Sequence, residues 1–139
     1  MNELYSRIKG DRTFAQLSRA EQVLVLTVRL EREVLNGTVW QYMSNSSGDL
    51  FDNAVRALDE IGADECSGAL SEIATWFEEG VVPRERAARN VQMAGIEDGT
   101  TEMELERRVR EVNDKLSEGF PKMTRLLVEY LKGRVEEIR

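Results

Sequence analysis

The segment from residue 18 to residue 35 constrains the fold more than any other part of the chain. Ser18 is followed three residues later by Glu21, which is the capping-box pattern for the start of a helix. A helix whose apolar side chains nearly encircle its axis must be covered by other elements. We therefore predict a central buried helix that ends near Leu35. Its apolar positions are Val23, Leu24, Val25, Leu26, Val28 and Leu30.

Amphipathic segments on either side predict further helices. Residues 3–9 favour a short helix before the central one. Residues 49–61 place their apolar side chains on one face, and Gly62 follows as a helix terminator. Asp64 can cap the next helix, which we expect to end at Gly80.

The last third of the chain predicts three more helices. Pro83 suits the first turn of a helix that reaches about Met93, and a loop with two glycines should follow over residues 95–100. Thr101 and Glu104 form a second capping-box pattern. The helix after it has a narrow apolar seam, and Gly119-Phe120-Pro121 should start a separate last helix. The seam consists of Leu105, Val109, Val112 and Leu116.

No segment alternates between apolar and polar residues with a period of two, so no strand is predicted. The chain of 139 residues fits one domain, over residues 1–139. The expected fold is all-α, an irregular or orthogonal bundle of about six to eight helices without a sheet.

A polar stretch directly follows the central helix. We expect Gly37 to end that helix in a left-handed conformation. Thr38 can then cap a short helix over residues 39–43. We call the following residues of this stretch the motif cluster: Glu33, Asn36, Gly37, Gln41, Tyr42, Asn45, Ser46 and Gly48.

Two interpretations of the motif cluster stay open. In the first, its polar side chains satisfy backbone groups where two helices break and reverse. In the second, Asn36, Gln41, Tyr42 and Asn45 line a site for a small ligand or a partner. The first is the more common role of buried polar side chains.

The spacing of the motif resembles a known family. Asn36-Gly37, Gln41-Tyr42 and Asn45-Ser46-x-Gly48 are similar to the signature of a bacterial helical domain of unknown function, a family that includes an acidic, dimeric DNA mimic protein. The similarity covers about residues 30–80, including Ile61-Gly62-Ala63, and departs at Thr38, Val39 and Met43. The resemblance implies protein binding through a surface that resembles DNA, and a homodimer.

The charge distribution favours the same class of function. The net charge is −7, and residues 51–100 hold eleven acidic residues against four arginines. This excess disfavours direct binding to nucleic acid or to anionic membranes, and it permits a basic protein partner. The candidate acidic surface consists of Asp52, Asp59, Glu60, Asp64, Glu65, Glu72, Glu78, Glu79, Glu97 and Asp98.

The composition excludes several kinds of catalysis. The chain has no histidine, which removes histidine bases and histidine metal ligands. The single cysteine, Cys66, cannot form an internal disulfide and is expected to be a small buried hydrophobe. Trp76 is expected at the edge of the core, where it could close the rim or anchor an interface. We expect no catalytic residue, cofactor or metal.

The sequence therefore favours a non-enzymatic acidic protein of the cytoplasm that binds a basic, nucleic-acid-binding protein such as a transcription regulator. One alternative is an antitoxin or immunity-type protein, which uses the same acidic surface. The other is a small-ligand-binding or enzymatic domain that uses the polar residues between Glu33 and Asn45.

Overall fold

The computed structural model describes residues 12–138, so the short helix predicted over residues 3–9 lies outside the described part. The described chain is all-α, with six α-helices, four short 3₁₀ helices and no strand, and it confirms the predicted fold class. None of these helices is both long enough and apolar enough to cross a membrane. The α-helices are α1 (Arg19–Asn36), α2 (Val39–Ser44), α3 (Phe51–Ile61), α4 (Asp64–Ala74), α5 (Arg86–Asp98) and α6 (Glu102–Lys132).

Helix α1 is the centre of the bundle, as predicted. Ser18 is its N-cap: the Ser18 hydroxyl accepts from the Glu21 amide, and the Glu21 carboxylate accepts from the Ser18 amide at 2.9 Å. Glu21 is itself fully buried, and Arg12 neutralises it through an ion pair of 2.9 Å. Ten residues of α1 are buried because α2, α3 and α6 all pack against it. The capping box therefore fixes where the buried helix begins.

The end of α1 differs from the prediction in one respect. The helix ends at Asn36, but Gly37 has φ −153° and ψ −120°, so the predicted left-handed conformation is wrong. Thr38 caps α2 as expected, since its hydroxyl accepts from the Gln41 amide at 3.1 Å. A left-handed helix terminator is found two helices later, at Gly62 after α3, with φ 81°.

Helices α4 and α5 have different bounds from those predicted. Helix α4 ends at Ala74, before the expected Gly80, and Asp64 is its first residue rather than its cap. Pro83 lies in an extended segment before α5, not in its first turn. Helix α5 continues through Gly95 to Asp98, so the predicted loop over residues 95–100 is mostly helical.

Helix α6 is continuous, so the prediction of two separate helices at this point is wrong. It runs through Gly119 and Pro121 to Lys132. A Cβ atom on Gly119 would lie 2.9 Å from the Cys66 sulfur, so glycine permits the close approach of α4 and α6. A proline inside a helix costs about 3 kcal/mol. The buried side chains on both sides of it, Phe120 and Met123, stabilise the helix through this point.

Candidate functional site

The hydrogen bonds around the motif converge on Arg89 of α5, a residue that does not belong to the motif. Its side chain is completely buried. Its Nε donates to the carbonyl of Met43, and one Nη2 bond reaches the carbonyl of Asn45 at 2.7 Å. A second Nη2 bond reaches the Asp49 carboxylate at 2.9 Å, which also neutralises the buried charge.

The other guanidinium nitrogen of Arg89 holds the segment before α5. Its Nη1 donates to the carbonyls of Pro83 and Arg84, at 3.0 and 2.9 Å. A guanidinium has five N–H donors, and all five are used here. Arg89 therefore joins the end of α2 to the extended segment before α5.

The position of Arg89 also explains why residue 48 is a glycine. A Cβ atom at this position would overlap the carbonyl oxygen of Met43 and would lie 2.7 Å from Arg89 Nε. Only glycine lets the backbone approach the guanidinium this closely. The Asn-Ser-x-Gly part of the motif therefore supplies backbone that packs against the Arg89 guanidinium.

A second polar contact ties the motif to α1. Asn45 Nδ2 donates to Glu33 Oε1 at 3.1 Å, while Glu33 Oε2 is buried without a hydrogen-bond partner. Tyr42 is buried nearby, and its burial together with the negative charge of Glu33 raises the pKa of its phenol.

The remaining polar members of the motif cluster do not join this contact. Asn36, Gln41 and Ser46 are exposed. Asn36 lines a groove of about 290 Å³ between α1 and α6, next to Leu35 and Leu127. The eight residues therefore do not share one environment. Their central part is a structural contact around Arg89.

Sequence reasoning missed the role of Arg89. Its sequence neighbours Arg84 and Arg86 made it one of several basic residues on a charged segment. The available signal was its spacing, because Met93 and Ile96 follow it at i+4 and i+7, on the inner face of α5.

Three of the ten candidate acidic residues form ion pairs. Glu60 contacts Arg19 at 2.9 Å, Glu72 contacts Lys115 at 2.9 Å, and Glu65 contacts Lys122 at 3.2 Å. The two contacts with lysines of α6 lie one above the other, since α4 and α6 run antiparallel. Exposed pairs of this kind contribute about 0–1 kcal/mol each.

Burial alone would raise the pKa of Glu60, but hydrogen bonds from Tyr130 and Arg19 outweigh it and hold the pKa below its ordinary value. Conversely, burial and the hydrogen bond to Glu60 raise the pKa of Tyr130 to about 12. Glu60 and Tyr130 therefore link α3 to α6, and Glu60 also belongs to the candidate acidic surface.

Six other candidate acidic residues are exposed, and no basic group within residues 12–138 lies at ion-pair distance from them. Arg56 lies between two of them on α3, at i+4 from the first, and it too forms no ion pair in the described part. The six are Asp52, Asp59, Asp64, Glu78, Glu79 and Asp98.

Glu79 also has an unusual backbone. It has φ 58° and ψ 17°, the left-handed region, and is the only non-glycine residue of the described chain with a positive φ. This conformation costs a residue with a Cβ atom about 1–2 kcal/mol.

The tenth candidate, Glu97, belongs to an aromatic cluster. Its carboxylate accepts from Trp40 Nε1 at 3.0 Å. The Trp40 ring lies 5.9 Å from Trp76 and 6.3 Å from Phe77, measured between ring centroids. Trp76 is half-buried, at the predicted edge of the core. Its role as an interface anchor stays a prediction.

Cys66 is buried, as expected. Burial, together with the nearby charges of Glu65 and Glu31, raises the pKa of its thiol to about 11. The thiol is therefore protonated at neutral pH. It acts as a small packing residue against Gly119.

A model of the family described as DMP19-like protein matches residues 15–134. The chain belongs to the DMP19-like protein family. Comparisons with curated proteins and with solved structures gave no match.

The DMP19-like match is consistent with the DNA-mimic family that the sequence was predicted to resemble, and the motif as the signature of that family stays a prediction. It extends the similarity from about residues 30–80 to most of the chain. Arg89, the whole motif cluster and all ten acidic residues lie within the matched segment. The DMP19-like family is not a known family of enzymes. The bacterial origin stays a prediction.

Proposed function

We propose that this protein is a non-enzymatic DNA mimic that binds a basic, nucleic-acid-binding protein, such as a transcription regulator, and occupies its DNA-binding surface. The observation that carries the proposal is the set of six exposed carboxylates that form no ion pair within residues 12–138, in a chain of the DMP19-like family. Together with Glu60, Glu65, Glu72 and Glu97, these residues form the partner-binding acidic surface.

The availability of these carboxylates matters because an acid already paired within its own protein must give up that pair to bind a new cation. Unpaired exposed acids keep their charge for a partner. Complementary charge chiefly speeds association and selects against wrong partners.

The spacing on α3 supports mimicry of a phosphate row. Asp52 and Asp59 are seven residues apart, about 10.5 Å along a helix. That is close to the rise along the duplex axis over three nucleotides of one DNA strand, at about 3.4 Å each. A homodimer would join two such surfaces, and we include it in the proposal.

Affinity capture tests this function. The tagged protein is used as bait in lysate of the cell that encodes it, at low and at high salt, and retained proteins are identified. We expect a basic nucleic-acid-binding protein that is retained at low salt, released at high salt and displaced by added duplex DNA. A salt-sensitive secreted or intracellular toxin in its place would favour the antitoxin or immunity-type alternative. Retention of neither would contradict the proposal.

Two charge variants make the test specific. The first variant combines the substitutions D52N, D59N, E78Q and E79Q, which remove four charges from the proposed surface. The control variant combines D114N, E118Q and E129Q, which remove exposed charges on α6 outside the proposed surface. Only the first variant should lose the partner.

A further inference from the structure

A groove beside Trp40 is the feature that carries a further inference, which rests on the proposed function. It has a volume of about 570 Å³ and lies between the start of α2 and the N-terminal half of α6. Its apolar lining is the ring of Trp40 with Leu105 and Val109. This volume is within the range of about 300–1,000 Å³ that is typical of pockets for small ligands.

The hydrogen bonds at the start of α2 hold this groove in shape. Asn113 of α6 accepts from the Val39 amide at 2.7 Å. The Thr38 hydroxyl accepts from the amide of Gln41 and caps the helix that carries Trp40. Trp40 is further held by its hydrogen bond to Glu97. The groove therefore does not need an occupant to form.

The segment that leads into the groove is acidic, although Arg110 also lines the groove. Residues 97–106 contain five acidic residues and no basic one. Glu97 lies at the indole edge of Trp40, and Glu106 lines the groove on α6. Of the five, Glu104 pairs with Arg107 and Arg108, and Glu97 accepts from Trp40 with one oxygen; none of the other three forms an ion pair within residues 12–138. A cationic partner side chain is the complementary occupant of this rim.

A single exposed apolar side chain lies on α6 one turn from the groove lining. Met103 lies one helical turn before Glu106 on the same face of α6, and it is 82% exposed.

We propose that this groove binds one apolar side chain of the basic partner protein, with an adjacent lysine or arginine held by Glu97 and Glu106. The apolar anchor fixes the position of the partner, and the acidic rim selects basic segments. This assigns a defined docking point to a surface that otherwise acts through charge alone.

The probes are two synthetic peptides of equal length and charge. Both carry lysines around a central position, which is leucine in the first peptide and serine in the second. The chain has two tryptophans, and both belong to the cluster at this groove. Tryptophan fluorescence therefore reports binding directly. We expect the leucine peptide to bind about tenfold to a hundredfold more tightly, the factor expected from burying one leucine side chain.

Three variants locate the anchor. L105S should remove the preference for leucine and keep the weaker binding of both peptides. The matched control is V91S, which changes an exposed valine of α5 and should leave the preference unchanged. R110Q removes a basic residue that lines the groove and forms no ion pair in the described chain, so it should strengthen binding of both peptides.

Equal, salt-sensitive binding of both peptides would contradict the proposal that the groove binds an apolar side chain, and would remain consistent with the proposed function of the acidic surface. A preference for leucine that survives L105S would also overturn it. Absence of binding by either peptide, even at low salt, would count against both the groove and the proposed function. A fluorescence change on dilution, with no response to peptide, would show that a second copy of the chain covers the groove, and would overturn the proposal.

Discussion

Charged groups are fully paired in the contact around Arg89, whereas many of those on the outer surface of residues 51–98 form no ion pair in the described chain. At Arg89, one buried cation has every donor used by four carbonyls and one carboxylate. On the outer surface, six carboxylates have no ion pair within the described chain. A buried charge must be satisfied for the chain to fold. The exposed carboxylates neutralise no buried charge, although Asp52 and Asp64 lie in the first turns of their helices, where a negative charge favours the helix. We propose that these carboxylates serve recognition.

The largest expected effect comes from replacing Arg89. R89M leaves four carbonyls and Asp49 without their donor, and we expect a loss of about 3–5 kcal/mol in the free energy of unfolding. The measurement is chemical denaturation followed by circular dichroism. R84M, an exposed neighbour, should change stability by less than about 0.5 kcal/mol. A small loss for R89M would show that the contact is not needed for the fold.

A smaller loss is expected at Gly48. G48A places a Cβ atom against Met43 and Arg89, and overpacking of this kind costs about 1–3 kcal/mol. The control is G68A on α4, where a Cβ atom meets nothing within 4 Å. Because alanine is the better helix former, G68A should stabilise the protein by up to about 1 kcal/mol. Equal effects of the two changes on the denaturation midpoint would contradict the Arg89 account.

Glu79 offers a change that separates stability from binding. E79G removes a charge and relieves the left-handed conformation, so we expect a gain of up to about 1 kcal/mol in the free energy of unfolding. The same variant should bind the captured partner more weakly. The two measurements are thermal unfolding and titration with that partner. Weaker binding together with lower stability would instead indicate that Glu79 supports the fold.

The smallest effect concerns pH. Glu60 has a folded-state pKa below its ordinary value of 4.5, so its contribution to stability is present above pH 4.5. That contribution is lost as the pH falls through the folded-state pKa. E60Q should therefore make the loss of stability below pH 4.5 less steep, and Y130F should act in the same direction. Denaturation midpoints at several pH values check this, and an unchanged slope would contradict it.

The sequence predicts local features of the fold well. Ser18 with Glu21 and Thr38 mark helix starts through contacts made within three residues, and Gly62 ends a helix by its own backbone conformation. Such signals are complete within a short window of sequence. The family could also be predicted, and the match over residues 15–134 agrees with it, while the motif as its signature stays a prediction.

The features that the sequence missed depend on tertiary packing. Gly119 and Pro121 suggest a break, yet α6 continues because its flanking residues pack against α1 and α4. Arg89 meets the carbonyls of Met43 and Asn45, which are more than forty residues away. No local pattern distinguishes such an arginine from its exposed neighbours except its position on the inner face.

The central claim is that the motif serves the fold and the outer carboxylates serve the partner. The most direct measurement compares G48A with the combined variant D52N, D59N, E78Q and E79Q, in both unfolding and partner binding. We predict that G48A loses unfolding free energy but binds the partner as the wild type does while folded. The charge variant should keep its stability and lose the partner. The opposite pattern, with binding lost in folded G48A and kept in the charge variant, would contradict the claim and assign recognition to the motif.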